Sequence, residues 1–126
     1  MEFTISTILP VTPEILYKTW LNSEEHTAMT GGEAHCSDQM GASFTAWDGY
    51  IEGVNLALVP NDTIIQSWRT TEFSDDEEDS QIEINLDEVD GGTQLTLTHT
   101  NLPKHGDQYL QGWEDHYFTP MRAYFS

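Results

Sequence analysis

The chain has 126 residues and a mass of 14.3 kDa, the length of one domain, and carries 22 acidic residues against four basic ones, for a net charge of −18. That charge repels phosphate backbones and anionic lipid, so nucleic acid and membrane surfaces are poor partners. A single cysteine, Cys36, rules out an internal disulfide. With neither a signal-like start nor an apolar run of about 18 residues, the expectation is a cytoplasmic protein.

The acidity reads as a solvated surface suited to a salty cytoplasm, or as a complement to a basic partner. Disorder is the reading it does not favour. Four Trp, five Tyr and five Phe, set at regular intervals, supply material for a core.

In chain order, "EFTISTIL" puts Phe3, Ile5, Thr7 and Leu9 on one side and predicts a strand ending at Pro10. Thr12 before Pro13 marks a capped helix over "PEILYKTWL". A second short helix is expected from Ser23, its side chain the cap, to the stop at Gly31 and Gly32. Five strands follow in "ASFTAW", "YIEGVNLALV", "TIIQSWRTTEF", "SQIEINLDEV" and "TQLTLTHTN", separated by Asp48–Gly49, Pro60–Asn61–Asp62, an acidic run and Asp90–Gly91–Gly92. Such short links imply antiparallel neighbours. Ile82, Ile84 and Leu86 alternate with Glu83, Asn85 and Asp87, the pattern of a sheet wet on one face only.

The cover for the dry face is residues 107 to 125. On a helical wheel Tyr109, Leu110, Trp113, Tyr117, Phe118, Met121, Tyr124 and Phe125 make one wide apolar arc, with Gln111, Asp115, Thr119 and Arg122 opposite. Pro120 lies in that arc and removes a backbone hydrogen bond to residue 116. A bend is expected there, letting one long helix follow a twisted sheet and leave space beneath it.

"TPEILYKTW", "GASFTAWDGYIEGVNLALVPNDTIIQSWR" and "GWEDHYFTPMRAYF" carry a resemblance that spans nearly the whole chain. The order of elements resembles the helix-grip (START-like, Bet v-like) superfamily and, more narrowly, the activators of the heat shock protein 90 ATPase in their C-terminal-domain form. Gly41, Phe44, Gly49, Gly53, Pro60, Ile64, Trp68 and Arg69 stand where that family's pattern has them. Ala42 replaces the second glycine of a Gly-Gly pair, and Asn55 replaces a frequent aromatic. The resemblance implies an α+β fold over residues 1–126: a curved antiparallel sheet, two short helices and a long C-terminal helix across the concave face. It also implies a cavity between that helix and the sheet.

The functional reading is a non-catalytic domain enclosing a small apolar molecule, with Trp20, Phe44, Trp47, Trp68, His99, Trp113, Glu114, Tyr117 and Met121 around it. Heat shock protein 90 or another protein is the alternative partner. His99 shares a face with Leu95 and Leu97, so it faces the cavity or serves as a hydrogen-bonded histidine at the core edge. Glu114 falls inside the apolar arc and must reach solvent, meet a cation such as Arg69, or lose its charge. No cofactor, catalytic group or metal is expected: "SDDEEDS" lacks the spacing of a calcium loop, and His26, His35, His105 and His116 lack zinc spacing. Cys36 has no base or nucleophile motif around it.

Overall fold

The computed structural model describes residues 1–126. β1 (Phe3–Leu9) buries Thr7 and Leu9 and stops at Pro10. Thr12 Oγ1 accepts from the Ile15 N–H at 3.3 Å and starts α1 (Pro13–Leu21), as its sequence predicts. The next cap differs from expectation. α2 (Ser23–Thr30) is capped by Asn22, whose Oδ1 accepts from the Glu25 N–H at 2.9 Å. Asn22 is the single extended residue between the two helices and so the only one whose backbone fits the cap position. Ser23 instead ties α2 to the following loop, its hydroxyl accepting from the Cys36 N–H at 2.8 Å and donating to the Cys36 carbonyl at 3.2 Å. Gly31, in the left-handed region at φ 88°, ends the helix. Replacing Asn22 by alanine should cost about 1 kcal/mol in chemical denaturation.

β2 (Ser43–Ala46), β3 (Ile51–Val59), β4 (Thr63–Thr70), β5 (Ser80–Val89) and β6 (Gly92–Thr100) complete a curved antiparallel sheet of order β1-β6-β5-β4-β3-β2. The alternation in β5 does what its pattern requires. Ile84 sits between Ile64 of β4 and Leu97 of β6, while Asp87 is exposed. Curvature has local causes. The β3–β4 register shifts between Asn55 and Ala57, a bulge that leaves Leu56 outside. At Gly53 the strands come so close that a Cβ would lie 1.8 Å from the Ser67 carbonyl oxygen.

The C-terminal segment crosses the concave face as a 3₁₀ turn (Lys104–Asp107), α3 (Gln108–Trp113), a π turn (Glu114–Phe118) and α4 (Thr119–Phe125). The disruption expected at Pro120 takes the form of this π turn, in which the Thr119 N–H bonds to the Glu114 carbonyl five residues back. Tyr109, Trp113, Tyr117 and Met121 are buried at a constant spacing of four, longer than the 3.6 of a regular helix. The added residue in the π turn absorbs the excess. Leu110 and Tyr124, expected in the apolar arc, are outside it at 44% and 46% exposure. One hydrophobic cluster of 24 buried residues joins sheet and helices. No helix is long and apolar enough to cross a membrane.

Candidate functional site: an aromatic pocket beneath the last helix

Two polar chains fix the helix over the sheet. The indole N–H of Trp113 donates to His99 Nδ1 at 3.0 Å, so that nitrogen carries no proton and Nε2–H donates to Ser80 Oγ at 2.9 Å. Ser80 then donates to the Trp68 carbonyl at 2.6 Å. His99 has 0% exposure, and burial holds its pKa down to about 3. On the other flank, His26 donates from Nδ1 to the Trp20 carbonyl at 2.8 Å and accepts at Nε2 from the Tyr117 hydroxyl, also at 2.8 Å. Burial lowers the His26 pKa and raises that of Tyr117.

A third network crosses the sheet. Trp20 donates to Gln66 at 3.3 Å and Gln66 to Asn55 at 2.9 Å. Asn55 then donates to the carbonyls of Ser37 and Gln39 at 2.8 and 2.9 Å. Asn55, a departure from the family pattern in the sequence, is thus the hub that holds the 37–39 loop to β3. Sequence periodicity gave no sign of it, since an Asn in a strand ordinarily faces water.

Beside these chains, an open pocket of 370 Å³ lies between the last helix, the β2–β3 turn and β4. Six aromatic residues wall it: Trp47, Tyr50, Trp68, Tyr109, Trp113 and Tyr117. Ile51, Gln108, Gly112 and His116 complete the lining. The Trp68 ring stands edge-on to Tyr109 at 4.9 Å, and Trp113 meets Tyr117 at 4.8 Å. The turn is tightly wound, with left-handed backbones at Trp47, Asp48 and Gly49, and it is anchored by Asp48 N–H to the Glu33 carbonyl at 3.0 Å. The Trp47 ring rests on Gly32, where a Cβ would come within 2.4 Å, and meets His116 edge-on at 5.3 Å. Its indole N–H is buried without an acceptor. Strain and an unpaired donor therefore collect at one rim of the pocket.

Of the residues the sequence proposed, four line this pocket: Trp47, Trp68, Trp113 and Tyr117. Trp20, Phe44, Met121 and His99 are buried core outside the lining. Trp20 packs behind the walls at 5.1 Å from Tyr117, Phe44 faces Gly53 across the hairpin, and His99 spends both ring nitrogens internally. The bland reading of His99 is the one the geometry matches. Glu114 is turned outward, bonded to Arg122 and to the Thr119 hydroxyl at 2.8 Å. The Thr119 bond first, and Arg122 second, hold its pKa below the usual carboxylate value. Arg69 is not its partner, being forked instead onto Asp79 and the Ser74 and Glu77 carbonyls of the acidic loop at 2.8, 3.0 and 3.1 Å.

Tyr50, Ile51, Gln108, Gly112 and His116 also line the pocket, outside the set the sequence proposes. Tyr109 was placed in the apolar arc but not at the site. Gly112 carries its own signal: a glycine inside a helix, with nothing within 4 Å of where its Cβ would lie. No packing demand of the fold requires it. Alanine there should raise stability by about 1 kcal/mol in thermal or urea unfolding.

A curved antiparallel sheet gripping a long terminal helix, with an aromatic pocket at the helix edge, defines a START-like helix-grip domain. A family model described as "Activator of Hsp90 ATPase homolog 1-like protein" matches residues 10–126, and the chain belongs to that family. Among curated relatives, the "Activator of 90 kDa heat shock protein ATPase homolog" of Dictyostelium discoideum is 28% identical over 117 residues, covering 90% of this chain and 30% of its own length. The "Activator of 90 kDa heat shock protein ATPase homolog 1" of Homo sapiens is 25% identical over 125 residues, covering 98% and 37%. The chain thus spans about a third of those relatives. In structure it is similar to an HSP90 activator from Plasmodium falciparum, with a TM-score of 0.87, 22% identity and coverage of 98% and 94% of the two chains. A Mesorhizobium loti protein superposes at 0.81 with 16% identity, covering 98% and 96%. Both likenesses concern the fold.

Proposed function

We propose that the chain is a non-catalytic binding domain that takes a small apolar molecule in the aromatic pocket beneath its last helix. The observation that carries this reading is the floor at Gly112: a helix surface kept bare, inside a pocket whose volume falls in the range of small-molecule sites. The strained turn at Trp47 supports it, since such strain gathers where a site is shaped rather than where a core is packed. His99 and His26, with both nitrogens committed to internal bonds, offer no free base for chemistry.

Titration with indole, followed by protein NMR, tests the reading. Shifts should concentrate at Trp47, Tyr50, Gly112 and Tyr117, and Gly112→Leu, which fills the floor, should abolish them. Shifts scattered over the surface, or none at millimolar indole, would remove the proposal.

A second reading has its own support in the names of the curated relatives, each called a homolog of the activator of the 90 kDa heat shock protein ATPase. In that role the chain changes ATP turnover by the heat shock protein 90 of its own host. An unchanged turnover across a wide concentration range excludes it.

A further inference from the structure

We infer that the ligand of this pocket carries a quaternary ammonium group, a positive charge dressed in apolar methyls. The inference rests on the pocket being a ligand site. It adds the charge and hydrogen-bonding character of what enters.

Aromatic faces are negative and attract a cation placed within about 6 Å of the ring centroid. Six rings line the pocket, and no Lys or Arg stands among its residues. Three of the chain's four basic side chains are paired elsewhere, Lys18 with Glu14, Arg69 with Asp79 and Arg122 with Glu114, and the fourth, Lys104, is outside the lining. Arg69 already uses this attraction next door, its guanidinium lying 5.4 Å from the centroid of Phe73, which in turn packs on Trp68 and Tyr109.

Fixed charge favours the same occupant. Tyr50, in the lining, donates its hydroxyl to the Glu72 carboxylate, which places a negative charge at the hydroxyl end of a wall ring. The net charge of −18 draws cations towards the surface and repels carboxylate ligands such as fatty acids.

The polar tips of the wall decide between kinds of cation. Tyr109 is bonded to Thr70 at 2.6 Å, Tyr117 donates to His26 and Trp113 donates to His99. Those three tips are spent inside the protein, which leaves Gln108 and His116 among the pocket's remaining polar side chains. A primary ammonium brings three N–H donors, each needing an acceptor when it loses water, and a wall of mostly aromatic carbon offers few. A quaternary ammonium brings none.

Choline and its carbon isostere, in which a tert-butyl group replaces the trimethylammonium, have the same shape and differ in charge. The test is NMR titration of the full chain with each, at low and at raised salt. Choline should bind at the pocket about tenfold tighter than the isostere. Glu72→Gln should narrow that ratio several-fold by weakening choline alone, and Gly112→Leu should abolish both. Equal or tighter binding of the isostere overturns the inference while leaving an apolar pocket. Choline shifts that persist in Gly112→Leu overturn it as diffuse counterion binding to an acidic surface. If indole binds and choline does not, the ligand class is wrong; if neither binds, the pocket reading falls with it.

Discussion

Trp113→Ala should destabilise the chain by about 5 kcal/mol in urea unfolding, enough to unfold a domain at the lower end of ordinary stability. Two losses combine. The first is the ring itself, buried against Trp68, Tyr117 and Trp20 at 5.6, 4.8 and 6.4 Å between centroids, whose removal leaves a cavity between helix and sheet. The second is the indole N–H, without which His99 Nδ1 becomes a buried acceptor with no donor, a cost of about 1–3 kcal/mol. Trp113→Phe separates them. It keeps most of the ring and removes the donor, so its loss should fall within that smaller range. A Phe variant as stable as the parent would show that the bond to His99 holds nothing. An alanine variant losing under about 2 kcal/mol would show that the helix is not gripped through this residue.

Much of this arrangement was legible because it is local. Strand alternation in β5 follows from a side-chain period of two, and the Thr12–Pro13 start follows from cap chemistry within four residues. The last helix was legible in kind but not in phase. A wheel turned at a uniform 3.6 residues drifts against the actual spacing of four, so Glu114 and Tyr124 were drawn into an arc from which the structure excludes them. Nothing in the string of residues announces a π turn beyond the proline that follows it.

The pocket was less legible for a different reason. Its walls come from turns and a helix edge brought together by chain reversal: Trp47 meets His116 from far along the sequence, and His26 meets Tyr117 across 91 positions. From the sequence His26 reads only as a histidine without zinc spacing, yet it is the buried acceptor for a tyrosine. Gly112 was the one local sign, because a helical glycine without a steric reason invites a functional one.

Acid should weaken the fold in a window set by the two buried histidines. His99 is held to about pKa 3 by burial, against an ordinary value of 6.5, and His26 is shifted in the same direction by the same cause. At these two positions the unfolded chain takes up protons as the pH falls through about 6.5, while the folded chain keeps His99 neutral until near 3 and holds His26 neutral below its ordinary value. Stability is complete above about pH 6.5 and is lost on the way down. At about pH 4.5 His99 alone should account for roughly 3 kcal/mol, with His26 adding to it. The carboxylates of Glu14, Glu77 and Glu114, lowered chiefly by hydrogen bonds to Lys18, His105 and Thr119, act with the same sign from about pH 4.5 downward. Protonating other carboxylates relieves the repulsion of a −18 chain and works the opposite way, so the measurement belongs in about 1 M salt, where the screening length is about 3 Å. Below pH 6.5 His99 should bring a fall in unfolding free energy that approaches about 1.4 kcal/mol per pH unit, with His26 acting in the same direction. His99→Gln keeps one acceptor for Trp113 and one donor for Ser80 without the titration, and should remove the His99 share of that slope, about 1.4 kcal/mol per pH unit. A flat profile in the parent, or an unchanged slope in the variant, would mean that the imidazole beneath the last helix is not the proton-refusing group its hydrogen bonds make it.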